Sequence, residues 1–303
     1  MRRIRVGTRG STLALAQSTW LQEQLSRHDG TLEVELVVIK TSGDRFVDKA
    51  ISAIGGKGVF TKEIEEALLR REIDLAVHSM KDLPAELPTG LTIAAIPKRE
   101  DARDVLVTRE TGTLSKLPAG AKVGTGSLRR RAQILHHRAD LSMVPIRGNV
   151  DTRLRKLDDG AVDALIMAAA GLKRIGRKER ITEYLPDEIC VSAVAQGALG
   201  IESREDGWAR DLVTYLHDAG TGVEIDAERS LLKRLGGGCD IPIGARARTE
   251  TEQLKMIGVV ASADGKALCR GEITGSLSEA VALGRRLAEQ LLKDGADRLL
   301  KLT

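Results

Sequence analysis

The sequence is poor in aromatic residues: two Trp, two Tyr and two Phe among 303, or 2%. So few rings leave little to stack on bases, which argues against a nucleic-acid binder despite a net charge of +4 and clustered arginines. There are only three cysteines, Cys190, Cys239 and Cys269, an odd number at wide spacing. They make no disulfide framework, and no Cys-x-x-Cys pair suggests zinc. The adjacent His136 and His137 would point in different directions on a helix, so no metal site is expected. No apolar run approaches the length needed to span a bilayer. The opening Met-Arg-Arg-Ile-Arg-Val-Gly lacks the apolar core and small-residue cleavage site of a secretory signal, and a cytoplasmic protein is expected. Two nucleotide motifs are also missing. GxGxxG fails at Arg129, and Gly55–Gly58 lacks the hydroxyl residue of GxxxxGK[ST].

What is present is ordinary in bulk and uneven in detail. Hydrophobic residues make up 42% and charged residues 30%, and the length suits two or three domains. Residues 122–180 hold 14 lysines and arginines against 6 acids, a local balance of +8, so the remainder sums to −4. Such a region expects an anionic ligand, and a small polycarboxylate or phosphate fits at least as well as nucleic acid.

The first two-thirds alternate short apolar runs with helical patterns. Strands are expected at Ile4–Gly7, Glu33–Ile39, Asp74–His78, Leu91–Ile96, Asp104–Thr108, Ala121–Thr125, Ser142–Ile146, Asp163–Met167 and Ile189–Ser192. Helices are expected near 12–27, 60–71, 127–138, 149–158 and 204–217. Such alternation implies an α/β fold with largely parallel sheets. The polar segment 97–103 reads as a crossing between two such domains. After about residue 220 a helix (Glu224–Leu235), two alternating strands (Leu254–Ala261 and Ala267–Thr274) and a final amphipathic helix read as a small α+β domain. Segment 41–58, with Gly43, Gly55, Gly56 and Gly58 among charges, reads either as a mobile loop or as a plain surface connection.

Several segments carry chemistry. VGTGSLRRR (123–131) follows a strand and opens a helix. Ser127 can cap that helix while its N–H groups face an anion, and Arg129 and Arg130 add cationic forks. By itself the segment reads equally as a glycine turn with solvated arginines. VGTRGSTLALAQ (6–17) places Arg9 and Ser11 at a second strand end, where ligands of α/β sheets bind. RGNVDTRLRK (147–156) adds Arg147 and Arg153, and GLKR (171–174) adds Arg174. VHSMKDLP (77–84) sets Lys81 beside Asp82, either a surface ion pair or a carboxylate at the mouth of a cationic cleft. LGGGCDIPIG (235–244) puts Cys239 after three glycines, where a thiolate could act as nucleophile. Cys190 and Cys269 sit in strand-like runs and read as small buried residues.

Taken in order, GTRGSTLALAQ, GVFTKEIEEALL, DLAVHSMKDLP, VGTGSLRR, IRGNVDTRL, AAAGLKR, VAQGALGIE and LGGGCDIPIGA resemble the porphobilinogen deaminases (hydroxymethylbilane synthases) from end to end. Two departures are small: Gly126, where the family usually has a second Ser, and Gly10-Ser11-Thr12, where proline is commoner.

The resemblance implies an α/β protein of three domains. The first two are similar to the lobes of type II periplasmic binding proteins, with an active cleft between them. Domain 1 would comprise 1–97 plus 198–217, domain 2 102–193, and a small α+β domain 3 220–303. It implies a covalent dipyrromethane cofactor on Cys239 through a thioether, with Lys81, Ser127, Arg129 and Arg130 binding its carboxylates. Porphobilinogen would be the substrate, four molecules being added with loss of ammonia before water releases hydroxymethylbilane. Asp82 would be catalytic, and Arg9, Ser11, Arg147, Arg153, Arg174, Gln17 and Phe60 would bind substrate. A monomer is implied, without nucleic acid or membrane partners, whose product passes to uroporphyrinogen-III synthase. The rival is a non-enzymatic two-lobed binding protein for a small polycarboxylate.

Overall fold

The computed structural model describes residues 2–42, 61–84, 86–110, 112–237 and 241–301. The chain divides into two compact units: Met1–Arg99 with Ala198–Thr221, and Glu100–Gly197 with Gly222–Thr303.

The first unit is built on a five-stranded sheet. Its strands are β1 (Arg2–Thr8), β2 (Leu32–Val38), β3 (Leu75–Ser79), β4 (Leu91–Ala95) and, much later in sequence, β10 (Leu199–Arg204). The order is β2-β1-β3-β10-β4. β1 runs parallel to β2 and β3, and β10 runs antiparallel to β3 and β4. Helix α1 (Thr12–His28) starts where Ser11 Oγ accepts the Ala14 N–H at 3.3 Å, and it ends with Arg27 and His28 against the negative helix terminus. Its Leu21 and Leu25, four residues apart, pack on Ile4, Val6, Leu75, Val77 and Ile201. Helix α2 (Lys62–Leu69) buries Ile64 and Leu68 against Ile73, Ala76 and Leu91.

The second unit repeats the plan. Its strands are β5 (Asp104–Thr108), β6 (Lys122–Gly124), β7 (Ser142–Val144), β8 (Ala164–Ala168) and β9 (Glu183–Tyr184), in the order β7-β6-β8-β5-β9. β6 is parallel to β7 and β8, and β5 is antiparallel to β8. Helices α3 (Leu128–His137), α4 (Val150–Asp158) and α5 (Ala169–Arg174) follow the parallel strands. β5 is apolar on both faces because both are covered: Val105 and Val107 face one core, Leu106 the other. In each sheet the antiparallel strand is the one that directly follows a crossing between units, at 99/100 for β5 and at 197/198 for β10.

The short helix α6 (Trp208–Leu212) precedes α7 (Ala219–Arg234). Strands β11 (Ile243–Glu250), β12 (Gln253–Ala261) and β13 (Leu268–Ser276) form an antiparallel sheet, and α8 (Ala280–Leu291) and α9 (Asp297–Lys301) follow. Leu287 and Leu291 of α8 approach the sheet at Gly258, where an added Cβ would lie 3.2 and 3.1 Å from them. The sheet is tied to residues 100–197 by Asp187. Its carboxylate pairs with Arg246 (3.1 Å) and with Arg248, and its carbonyl accepts from Arg270 at 2.8 Å.

Several expectations need correction: the helix expected near 204–217 is α-helical only over Trp208–Leu212, β9 was not expected, and Cys269, expected buried, is only partly so. Ile189–Ser192 is not a strand. Its peptide groups bond to side chains of α3 and to β11 instead: Val191 N–H donates to Gln133 Oε1 at 2.8 Å, and Ser192 O accepts from Ala245 N–H at 3.0 Å. β10 and β11 are strands that periodicity did not reveal. β10 is buried on both faces and carries Gly200 and Glu202 inward, the latter's carboxylate 2.8 Å from His78 Nε2, so no polar–apolar alternation marks it. β11 makes the C-terminal sheet three-stranded rather than a hairpin.

Candidate active site

In the first unit, β1 and β3 are parallel neighbours, with Val6 opposite Leu75, so their carboxyl ends lie side by side. β1 runs into Arg9 and Ser11, both half-buried. β3 runs into a 3₁₀ turn, Met80–Asp82, with Lys81 half-buried and Asp82 exposed. The backbone fixes this turn from behind, since Met80 N–H donates to Ala198 O at 3.0 Å. Gln17 is buried, and its amide donates to Ser79 Oγ at 3.0 Å. It braces the end of β3 from α1.

In the second unit, three parallel strand ends carry the remaining polar set. After β6, Ser127 caps α3 by accepting the Arg130 N–H at 3.4 Å. After β7 comes Arg147; Asn149 then caps α4, accepting the Thr152 N–H at 2.9 Å, and Arg153 Nε donates to Gly148 O at 2.8 Å. After β8, α5 ends in Arg174, whose Nη2 donates to Gly197 O at 2.6 Å. Burial pulls the Arg174 guanidinium down to about 10. Helix N-termini at Ser127 and Asn149 add partial positive charge to these cations.

Arg129 and Arg130 point inward rather than to solvent. Arg129 Nη1 reaches Asp104 Oδ2 at 2.6 Å and Val191 O at 2.6 Å. Arg130 Nε reaches Asp104 Oδ1 at 2.9 Å, and its Nη2 reaches Gln196 Oε1 at 3.2 Å. Asp104 and Gln196 escaped the sequence argument. The one available signal was a charged residue opening the otherwise apolar run DVLVT. Cys190, buried beside this group, has its thiol pushed up by burial and by the Asp104 charge. Cys239 and Phe60 lie outside the described residues, as does most of segment 41–58.

The donors suit a carboxylated ligand. A dipyrromethane would present two acetates and two propionates. The second unit offers Ser127, two capped helix starts and a buried pair of arginines sharing one carboxylate. Among the described residues no cluster of His, Cys, Asp or Glu suits a metal ion, and no helix is long and apolar enough to cross a membrane.

Fold and strand ends together define an α/β protein of two sheet units, each carrying cationic and hydroxyl groups at the carboxyl ends of its parallel strands. Comparison with known proteins narrows this class. The family model "Porphobilinogen deaminase, dipyromethane cofactor binding domain" matches residues 4–210, and "Porphobilinogen deaminase, C-terminal domain" matches 223–293. The porphobilinogen deaminase of Syntrophotalea carbinolica is 50% identical over 298 residues, covering 98% of this chain and 95% of that protein. That of Syntrophobacter fumaroxidans is 51% identical, covering 98% and 97%. The chain belongs to the porphobilinogen deaminase family. Among solved structures, the methionine-binding protein MetQ overlaps 71% of this chain and 89% of its own, at 15% identity and a TM-score of 0.45.

Proposed function

We propose that the chain joins four porphobilinogen molecules head to tail, losing ammonia at each addition and releasing hydroxymethylbilane by hydrolysis. The observation that carries this reading is the placement of exposed Asp82 at the end of β3, beside the β1 end that bears Arg9 and Ser11. Breaking the carbon–nitrogen bond of porphobilinogen leaves a cationic methylene-pyrrole. Asp82 stabilises its pyrrole N–H charge and moves the proton given up at each coupling. Arg9, Ser11, Arg147, Arg153 and Arg174 pair with the substrate's acetate and propionate groups, and Lys81 with those of the cofactor. Ser127, Arg129 and Arg130 hold the cofactor's carboxylates. Cys239 would hold the dipyrromethane by a thioether, and when bound that group would supply a free pyrrole α-carbon as the primer.

Gln17 acts through Ser79 on the turn carrying Asp82, and Phe60 packs against pyrroles. Residues 1–97 with 198–217, 102–193 and 220–303 act as three domains. We further propose a cytoplasmic monomer whose product goes to uroporphyrinogen-III synthase.

Two measurements test the core of this. The denatured intact mass of the purified protein should carry two pyrroles, and Cys239→Ala should lack them. Asp82→Ala should keep the adduct and lose turnover by about 10²–10⁴-fold, the range for a positioned acid–base group. An adduct on Cys239→Ala, or near-normal turnover in Asp82→Ala, would refute the corresponding role.

A further inference from the structure

Asp104 is the first residue of β5 and pairs with Ala168, the last residue of β8. It therefore stands at the same sheet end as Ser127 and the start of α5. Its side chain is wholly buried. Oδ2 accepts from Arg129 Nη1 at 2.6 Å and from Cys190 Sγ at 3.3 Å. Oδ1 accepts from Arg130 Nε at 2.9 Å and from Gln196 Nε2 at 2.8 Å.

The charge balance here is unusual. Arg129 and Arg130 are only 5% and 6% exposed, yet one carboxylate serves both. Both lie in the first turn of α3, where the helix dipole disfavours cations. Two guanidiniums side by side would repel each other and turn toward water unless an anion held them. A buried charge left over in this way is costly unless a further anion reaches it. The hydrogen bonds of Arg129 all run through Nη1, leaving Nε and Nη2 uncommitted among the described residues.

We infer that Asp104 is a positioning residue: it docks the guanidiniums of Arg129 and Arg130 and leaves one uncompensated positive charge for a ligand carboxylate. Gln196 completes the frame. Its Nε2 donates to Asp104 Oδ1 while its Oε1 accepts from Arg130 Nη2, and the next residue, Gly197, takes Arg174 Nη2 on its carbonyl. One carboxylate and one amide thus set two of the arginines assigned above to pyrrole carboxylates, and the neighbouring backbone carbonyl takes a third. The inference rests on that assignment.

The test is Asp104→Asn, which keeps the volume and removes the charge. The folded variant should carry the two-pyrrole adduct on a smaller fraction of chains, read by denatured intact mass. Its KM for porphobilinogen should rise about tenfold or more, the equivalent of one charge-assisted hydrogen bond. A role in fold stability alone would lower the melting temperature and leave adduct fraction and KM at wild-type values. That result, or a lowered KM, overturns the inference. Should Asp104→Asn fail to fold, Gln196→Met serves instead, because it breaks the frame without changing charge. A several-fold rise in KM supports the inference, and wild-type KM with full adduct overturns it. Failure of the underlying assignment is separate. It would appear in the unaltered protein as a chain with no pyrrole mass that consumes no porphobilinogen.

Discussion

Glu228 of α7 offers a direct measure of how firmly the C-terminal segment holds the chain near the arginine frame. Its side chain is wholly buried. Oε2 accepts the Ala195 N–H at 2.6 Å and Oε1 accepts the Ala247 N–H at 2.8 Å, so one carboxylate joins the 193–197 segment to β11. Ala195 sits at φ +60°, a left-handed conformation that costs an alanine about 1 kcal/mol or more. Glu228→Gln keeps one acceptor oxygen and sets an amide N–H against the second backbone N–H. One charge-assisted bond is lost and one buried donor is left unpaired, together about 2–4 kcal/mol. The Ala195 amide should exchange with deuterium about 30-fold faster or more, provided that local opening governs its exchange. The urea midpoint followed by far-UV circular dichroism should fall. Tryptophan fluorescence is the wrong probe for local change, because Trp20 and Trp208 both lie in the first unit. Unchanged exchange at both Ala195 and Ala247, with an unchanged midpoint, would refute the reasoning.

Two further predictions concern the crossing near residue 100. Burial pushes the Asp101 carboxyl up, but the Arg103 fork, with bonds of 3.0 and 2.7 Å, outweighs it and holds the group at about 2, below its ordinary 3.8. A depressed folded value means that the stabilisation is complete above about pH 4 and is lost as pH falls toward 2. Asp101→Asn should therefore lower stability at pH 7 by about 1 kcal/mol, discounted for the half-exposed Arg103, and flatten the acid limb of a stability–pH curve; an unaltered acid limb would count against the pairing. Gly197 stands at φ +90°, and an added Cβ would lie 2.4 Å from Glu100 O. Gly197→Ala should cost at least about 2 kcal/mol by thermal melting, and an unchanged melting temperature would contradict that contact.

Much of the fold was legible because local rules and tertiary demands agree. β5 runs Asp104–Thr108 as its apolar run implies, and Ser11 and Ser127 cap the helices that their positions announce. The strand ends bearing Arg9, Lys81, Ser127, Arg147 and Arg174 follow from the same alternation of strand and helix. Failures occurred where burial on both faces erased the pattern, as at Glu202 in β10, or where an apolar run gave its peptide groups to side chains, as at Val191. Gln17, expected at a pyrrole, donates its amide to Ser79, a partner 62 residues away that no local spacing reveals.

The basic region shows most clearly what a charge count conceals. Residues 122–180 carry an excess of +8, yet several members are already matched. Arg138 meets Asp140 at 2.6 Å, Arg180 meets Asp158 at 2.6 Å, and Lys173 meets Glu100 at 2.8 Å. Those first two pairs leave the regional excess unchanged, because both partners fall inside the counted span. The acid for Arg129 and Arg130 falls outside it, on β5, and it is one acid for two cations. One unit of the excess that survives therefore sits in a buried place where water cannot screen it well, while Arg131, Arg155, Arg177 and Lys178 carry theirs at the surface. On the reading proposed above, an arginine pair held this way would be a fixed receptor for one carboxylate, whereas solvated arginines would first have to be ordered at the cost of side-chain entropy. Preorganisation by Asp104, more than the number of arginines, is what this chain adds to a basic composition.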